Sequence, residues 1–354
     1  MIEHIFLEFF MKRFFLCAIS AISLPICSYA AYTIKDGKLI GTHELATLSV
    51  QEHYSLGKEA LESSNWMELI RQSRILVKNF SETVFAQDSY FYLGLAYFNL
   101  GELDLSNKYF SQYLTNQLTP KYFEESIRYK FLIAQAFEQG AKRRLLGKES
   151  MPKWSSGKRE AIEIYDEVIM ALPQHDLAIQ SLFGKANILF SEKDFKESLE
   201  VFQVLLRRFP KSSLARDSYV AITKVYKTMS EEEYADPDYL DLAGINIKKF
   251  KMDFPEDPKI SEAEEILYAM MEVYAKDLYK TAQFYERTKK PKASIIYYSK
   301  IMNKYPNTKI AMQSRERLNV LLPKYGNKEE SLIIPQNGIP VIVDNSSLDS
   351  AEMQ

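Results

Sequence analysis

The residues best suited to catalysis are few and lie far apart in this chain. Beyond the first thirty residues only three histidines occur, His43, His53 and His175, and no two of them form a His-x-x-x-His pair. His175 follows a predicted helix junction at 172–173, where an exposed helix-start residue is expected. The three successive acids at 231–233 would point in different directions on a helix, which is typical of a solvated face. We therefore predict no catalytic, metal-binding or cofactor-binding residue.

The overall composition favours packed helices. Of the 354 residues, 46% are apolar and 26% charged, as in ordinary globular proteins. The 12 glycines are few beside 23 tyrosines and 21 phenylalanines, which suits helices better than phosphate-binding loops or many tight turns. With 45 basic and 47 acidic side chains the net charge is −2, so no overall field would attract nucleic acid. We predict an all-α protein that binds neither nucleic acid nor a small-molecule substrate.

The first thirty residues have the pattern of a secretory signal peptide. Met-Lys-Arg at 11–13 is a basic start, and residues 14–26 are almost continuously apolar. Residues 1–10 carry Glu3 and Glu8 but no Lys or Arg, so we predict that translation starts at Met11. Neither this stretch nor any later one reaches the roughly 20 apolar residues of a membrane-spanning helix. The remainder is predicted to be exported.

Both cysteines, Cys17 and Cys27, lie within this leader, which leaves none for a disulfide, a zinc site or a nucleophile in the body. Two processing routes are open. Cleavage between Ala30 and Ala31, after a small-x-small site, would release a soluble periplasmic protein. Alternatively, Leu-Pro-Ile-Cys at 24–27 would act as a lipobox, although its isoleucine stands where a small residue is usual. Cys27 would then carry the lipid that anchors the protein to a membrane.

An internal repeat is the strongest structural signal. The repeated unit is an apolar residue, then Pro or Ser, four variable residues and Ala. Because Pro cannot continue a helix but fits at the start of the next one, each copy predicts a junction between two helices. Four copies keep this spacing and a fifth is three residues longer: Phe80-Ser81 to Ala86, Leu172-Pro173 to Ala178, Phe209-Pro210 to Ala215, Tyr305-Pro306 to Ala311, and Phe254-Pro255 to Ala263.

Between the junctions, apolar residues recur at helical spacing, as at Phe195, Leu199, Phe202 and Leu206. We interpret these stripes as core. They predict an α-solenoid over residues 44–325, preceded by a linker at 31–43. The solenoid would contain six helical hairpins and a capping helix, at about 44–80, 84–117, 121–172, 175–208, 212–254, 259–304 and 308–323.

Two segments depart from the repeat. Residues 140–159 interrupt hairpin three with seven basic residues and one Glu. We predict an inserted basic surface loop, with contact to anionic lipid or an acidic partner as the alternative. Residues 326–354 contain five acids and one lysine without helical periodicity, which predicts a disordered acidic tail. The apolar stretches 333–335 and 339–343 could instead add as a strand to a partner's sheet.

The hairpins resemble the tetratricopeptide repeat at specific residues. The pattern of Leu-Gly, aromatic, turn Gly, small residue and aromatic is matched by Leu93-Gly94, Tyr97, Gly101, Ser106 and Phe110. Two further sets repeat its second half: Ser198, Phe202 and Pro210, and Ala161, Tyr165 and Pro173. The small residues would let two helices approach closely.

The final hairpin carries a more specific pattern, a long helix ending in paired aromatics, a basic turn, a second helix and a Tyr-Pro-x-Thr junction. Its residues are Phe254-Pro255-Glu256, Tyr274-Ala275-Lys276, Tyr279, Ala282, Phe284-Tyr285, Glu286-Arg287, Ala293 and Tyr305-Pro306-Asn307-Thr308. In this order the stretch resembles the BamD-type outer-membrane assembly lipoproteins. The segment from Tyr54 to Trp66 is similar to that family's first repeat, and the similarity extends over about residues 52–324.

This resemblance implies a non-catalytic scaffold, anchored through Cys27 to the periplasmic face of the outer membrane, that binds the β-barrel insertase and nascent barrel proteins. The chain departs from the family in its greater length, in its lipobox and in Ser81, which replaces the usual Pro. A soluble periplasmic tetratricopeptide adaptor in cell-envelope coordination or secretion is the alternative, and a cytosolic secretion chaperone would require the leader to be misread. Exposed side chains on the first helices, such as Tyr92 or Tyr129, would recognise partners unless they serve packing instead.

Overall fold

The computed structural model describes residues 32–35, 38–41, 45–116, 118–145, 151–232 and 237–326. These residues form thirteen α-helices and four short β-strands. The predicted signal peptide with Cys27, Ala30 and Ala31, and the predicted tail from residue 327 onward, lie outside the described residues. No helix in the described ranges is both long and apolar enough to span a bilayer.

The helices form six successive hairpins and a final helix, which confirms the predicted all-α solenoid. Hairpins one to three contain α1 (Val50–Glu62) and α2 (Trp66–Asn79), α3 (Val84–Asn99) and α4 (Leu103–Thr115), α5 (Phe123–Glu138) and α6 (Lys158–Ala171). Hairpins four to six contain α7 (Asp176–Ser191) and α8 (Phe195–Arg208), α9 (Ser213–Glu232) and α10 (Pro237–Asp253), α11 (Lys259–Arg287) and α12 (Pro291–Lys304). Helix α13 (Lys309–Tyr325) ends the array.

The packing divides the described residues into two compact units, unit one up to Tyr129 and unit two from Lys130 onward. Unit one contains α1 to α4 and the first part of α5, and its core is rich in aromatic rings such as Phe91, Phe110 and Tyr113. Unit two contains the rest of α5 and all later elements. In its core Tyr219 stacks on Phe250 with ring centroids 5.0 Å apart, and the Tyr219 hydroxyl donates to Asp253 at 2.5 Å.

The four copies of the repeated unit that keep the regular spacing form the same junction. Its apolar residue is the C-cap of one helix, the residue three positions later caps the next helix, and the Ala six positions later is buried. At the last junction these residues are Tyr305, Thr308 and Ala311, and the Thr308 hydroxyl accepts from the Ala311 amide at 3.1 Å. The junctions at 80–86 and 172–178 have the same arrangement. The motif therefore predicts helix ends through local capping chemistry.

Small residues bring the two helices of a hairpin into close contact. In hairpin two the Ser106 hydroxyl donates to the Gly94 carbonyl at 2.8 Å, and both residues are buried. Hairpin four repeats this bond between Ser198 and the Ala186 carbonyl at 2.9 Å. The small residues leave space for the aromatic ring that follows them in the sequence pattern. The small and aromatic positions of the pattern therefore act together.

Four strands stand where a linker and a surface loop are predicted. The segment at 31–43 contains β1 (Tyr32–Lys35) and β2 (Lys38–Gly41), which pair antiparallel. The basic insert at 140–159 contains β3 (Lys142–Arg144) and β4 (Lys153–Ser156), also antiparallel. With three or four residues each, these strands are too short to show the alternating pattern by which strands are recognised.

Candidate functional site

The first helices of hairpins one to three bring three tyrosine hydroxyls together. Tyr54 on α1 lies 3.4 Å from Tyr92 on α3, and Tyr92 lies 3.2 Å from Tyr122, measured between hydroxyl oxygens. Tyr122 stands immediately before α5, and its backbone amide donates to the Tyr113 hydroxyl at 2.8 Å. We call Tyr54, Tyr92 and Tyr122 the hydroxyl row. Because it joins three hairpins, the row crosses unit one from helix to helix.

Aromatic packing beneath the row holds the rings in place. Phe91 stacks on Tyr122 with centroids 4.4 Å apart and an interplanar angle of 18°. Tyr54 packs on Phe85 at 4.7 Å, and Phe91 also contacts Phe110. These ring contacts restrict the side-chain rotamers, so the hydroxyl groups are presented in one arrangement.

A buried carboxyl group lies beside the hydroxyl row. Asp88 is one turn before Tyr92 on α3, and only 8% of its surface is exposed. Burial raises the pKa of Asp88, while attraction to Lys121 and Lys58 and a hydrogen bond with Tyr54 act in the opposite direction. The two lysines therefore compensate a carboxylate that would otherwise be costly to bury.

The two lysines also lie over the tyrosine rings. The Lys58 ammonium is 5.1 Å from the centroid of Tyr92, and the Lys121 ammonium is 4.8 Å from that of Tyr122. Both distances fall within the range of cation–π attraction. Lys121 is exposed and Lys58 is half-buried, so both amines remain reachable from solvent. We call these two lysines, Asp88 and the hydroxyl row the lysine–tyrosine site.

The tyrosine pKa values differ along the row. Burial, together with hydrogen bonds to Tyr122 and Tyr54, raises the pKa of Tyr92. Burial also acts to raise the pKa of Tyr122, but hydrogen bonds with Tyr92 and Lys121 lower it below its ordinary value. Because a more acidic hydroxyl is a stronger donor, Tyr122 is the hydroxyl best suited to donate a hydrogen bond. Chemically, the site offers cations and hydroxyls to a polypeptide with acidic side chains and backbone carbonyls.

The two aromatics proposed from sequence prove to be packing residues. Tyr92 is buried within the lysine–tyrosine site, with 5% of its surface exposed. Tyr129 is half-buried and stacks on Phe110 with centroids 5.3 Å apart.

Sequence reasoning missed the lysines and Asp88. Their signal is the four-residue spacing of a charged residue and a tyrosine on each of two first helices, Tyr54 with Lys58 and Asp88 with Tyr92.

The remaining residues considered for chemistry have structural roles where the structure describes them. His53 is buried and lies 2.7 Å from the Gln72 side-chain oxygen, while His43 is outside the described residues. His175 caps α7 by accepting from the Leu177 amide, as expected of a helix-start residue. Glu232, one of the three successive acids, pairs with Lys193 at 2.8 Å. Within the described ranges no three His, Cys, Asp or Glu side chains form a metal-binding cluster.

Unit two has a surface pocket of about 410 Å³ between α10, α11 and the end of α12. Tyr305 forms part of its wall, and burial, with nearby Tyr274 and Asp241, raises the pKa of Tyr305 to about 12. Lys248 and Gly244 also line the pocket, and a Cβ at Gly244 would meet no atom within 4 Å. The pocket is a second place where a partner's side chain would fit.

Comparisons with known proteins define first a class and then a repeat type. The stacked hairpins place the chain among helical-repeat proteins, which bind other proteins along extended surfaces. The tetratricopeptide repeat model matches residues 88–117, 180–212 and 278–308, so these segments are tetratricopeptide repeats. The chain thus carries tetratricopeptide repeats, which indicate a protein-interaction scaffold, and the match indicates no enzyme family. A comparison with curated protein sequences finds no match.

Solved structures of other repeat proteins are similar at low identity. A tetratricopeptide repeat protein from Parabacteroides merdae is 12% identical over 75% of this chain and 97% of its own, with a TM-score of 0.35. MamA from AMB-1 is 16% identical over 60% of this chain and 96% of its own, with a TM-score of 0.32. The P58(IPK) tetratricopeptide domain is 12% identical over 80% of both chains, with a TM-score of 0.29.

Proposed function

We propose that the chain is a non-catalytic scaffold that holds partner proteins at the lysine–tyrosine site. The observation that carries this proposal is the buried Asp88 between two lysines and the hydroxyl row. Burying a carboxyl group is unfavourable unless it is compensated, and here the compensating charges are the two lysines over the tyrosine rings. In this proposal Asp88 positions the amines of Lys58 and Lys121 toward one ligand, beside the hydroxyl of Tyr122.

The preferred ligand is an extended polypeptide segment that carries acidic side chains. Lys58 and Lys121 would pair with its carboxylates, and the hydroxyl of Tyr122 would bond its backbone. The site is preformed by ring packing, so little conformational entropy is lost on binding. Such a surface suits a scaffold that receives unfolded or extended partners.

We further propose that the partners are the β-barrel insertase of the outer membrane and nascent barrel proteins. The support is the order of elements in the last hairpin, where the 29-residue helix α11 carries Phe284-Tyr285 in its last turn. A basic turn at 288–290, helix α12 and the Tyr305-Pro306 junction follow. This is the arrangement on which the resemblance to BamD-type lipoproteins depends.

Cys27 is then the lipid attachment site, and the protein would lie at the periplasmic face of the outer membrane. The test is the intact mass of the mature N-terminus, purified from membranes. A diacyl or triacyl adduct on Cys27, and release from membranes by Cys27→Ala, are expected. A start at unmodified Ala31 would contradict the anchor and favour a soluble periplasmic adaptor.

The partner proposal has a separate test. The chain should be tagged, expressed from its own leader and purified from solubilised envelopes under mild conditions. We expect the insertase to co-purify in near-stoichiometric amount. Purification with other envelope proteins but without the insertase would leave the scaffold function standing and would contradict the assembly role.

A further inference from the structure

The inserted hairpin β3–β4 exposes a tryptophan to solvent. The Trp154 side chain on β4 is 75% exposed, although tryptophan is among the most apolar of side chains. The chain has only one other tryptophan, Trp66, which is half-buried at the start of α2. An indole, apolar in its ring and polar at its N–H, is enriched at protein interfaces and in membrane-interface belts.

The hairpin is firmly attached to the helices beneath it. Strand β4 leads into α6 through Gly157, where a Cβ would lie 2.2 Å from the Phe137 ring, so only glycine fits. Arg143 on β3 pairs with Glu160 on α6 at 3.2 Å. The Arg144 guanidinium donates to the Met151 carbonyl at 2.8 Å across the hairpin. These contacts present Trp154 from a fixed support.

The hairpin and the start of α6 are also strongly basic. The described residues between 140 and 159 include six Lys or Arg and no Asp or Glu, in a chain whose net charge is −2. Two of them are paired with acids of unit two, Arg143 with Glu160 and Lys158 with Glu192. Lys142, which is exposed, lies opposite Ser156 in the strand register, two residues from Trp154. Basic residues therefore flank the exposed indole along β4 and across the hairpin.

We propose that hairpin β3–β4 binds the surface of an anionic lipid bilayer, with the Trp154 indole at the headgroup level. Tryptophan prefers this interface because its ring is apolar and its N–H needs a polar partner. Lysine and arginine keep their heads among anionic headgroups while their stems cover apolar surface. The proposal rests on the hairpin alone and does not depend on the proposed partners.

A lipid surface fits the hairpin better than a protein does. A stable protein interface covers about 800 Å² on each partner. The described strands of the hairpin have seven residues, fewer than the roughly 20–30 that such an interface takes from each partner. Membrane association needs less, since one interfacial aromatic and several basic side chains act additively with any other anchor.

The test uses the full chain with Cys27→Ser, which removes acylation, and Trp66→Phe, which leaves Trp154 as the sole indole. Circular dichroism checks the fold. Vesicles of phosphatidylcholine alone, or with one-quarter phosphatidylglycerol, are then added. With the anionic vesicles, but not with pure phosphatidylcholine vesicles, we expect three results. The Trp154 fluorescence emission should shift to the blue, brominated lipid should quench it, and the protein should co-sediment with the vesicles. High salt should reverse all three.

Variants complete the test in the Cys27→Ser background by co-sedimentation. We expect Trp154→Ala or Lys142→Glu to weaken binding to the anionic vesicles at least tenfold. Met170→Ala is the matched control, because Met170 is 73% exposed on α6 outside the hairpin, and it should leave binding unchanged. Unshifted emission with anionic vesicles, or equal loss in Met170→Ala, would overturn the proposal. Binding to polyglutamate but not to vesicles would overturn it in favour of an acidic protein.

Discussion

The ring of Phe110 packs directly against Gly94 across hairpin two. A Cβ at position 94 would lie 2.8 Å from two carbons of that ring, closer than real contacts allow. The absence of a side chain at Gly94 thus sets the distance between α3 and α4. It also sets the geometry of unit one, because Phe110 contacts Phe91 and Phe91 supports Tyr122.

We expect Gly94→Ala to destabilise unit one by about 1–3 kcal/mol, because the added methyl group overpacks the helix contact. Gly244→Ala is the matched control, since this glycine is also inside a helix but has open space around it. It should stabilise the chain by about 0.5–1 kcal/mol through helix propensity alone. Urea unfolding followed by circular dichroism measures both. Equal effects of the two substitutions would contradict the packing role of Gly94.

A second prediction concerns the serines that follow the close contacts. Ser106→Ala should lower the free energy of unfolding by about 1 kcal/mol, because the Gly94 carbonyl loses its additional donor. Ser294 is the control: it is fully buried at the equivalent place in hairpin six, and its hydroxyl has no hydrogen-bond partner among the described residues. Ser294→Ala should therefore cost nothing or stabilise slightly. A loss at Ser294 as large as at Ser106 would argue against the hydrogen bond as the cause.

The helix junctions make a third prediction through Thr308. Its hydroxyl donates to the Tyr305 carbonyl at 2.8 Å and accepts from the Ala311 amide. Thr308→Val keeps the shape but removes this cap, and we expect a loss of about 1–2 kcal/mol. Thr308→Ser keeps the hydroxyl and should recover most of that stability. Thermal unfolding of the original protein and of the two variants measures these differences in stability. A Thr308→Ser variant no more stable than Thr308→Val would contradict the capping role.

The buried Asp88 predicts a pH dependence of stability. Burial raises its pKa in the folded chain above the unfolded value, so the folded state binds the proton more tightly. The contribution of Asp88 to stability is therefore greatest below the unfolded pKa of about 3.9 and is lost as pH rises through the folded pKa. In the Asp88→Asn variant, this part of the decrease in unfolding free energy with rising pH should be absent. Unfolding free energies of both proteins at pH values from 4 to 7 test it, and parallel curves would refute it.

The helix junctions and hairpin contacts could be predicted because they depend on neighbouring residues. Each regular junction lies within one short segment. It consists of an apolar C-cap residue, an N-cap residue three positions later and a buried Ala six positions later, as at Tyr305, Thr308 and Ala311. Likewise, Gly94 and Ser106 are twelve residues apart in one hairpin. Chemistry at this range is visible in the chain itself.

The lysine–tyrosine site could not be predicted in this way. Tyr54 and Tyr92 are 38 residues apart, and Tyr92 and Tyr122 are 30 apart, so their meeting depends on how successive hairpins pack. Periodicity marks Tyr92 as a helix residue but does not say whether its hydroxyl faces a partner or the next hairpin. The exposure of Trp154 depends in the same way on how the inserted hairpin is attached through Gly157.

Photo-crosslinking in living cells tests the scaffold account most directly. A benzoylphenylalanine replaces Lys121 beside the hydroxyl row, and a control variant carries it at Lys196, an exposed lysine on α8. After irradiation, adducts are isolated and identified by mass spectrometry. We predict adducts with the β-barrel insertase or nascent barrel proteins at position 121, reduced at least fivefold by the additional change Lys58→Glu. Equal adducts at 121 and 196, or none with an envelope protein, would contradict the account.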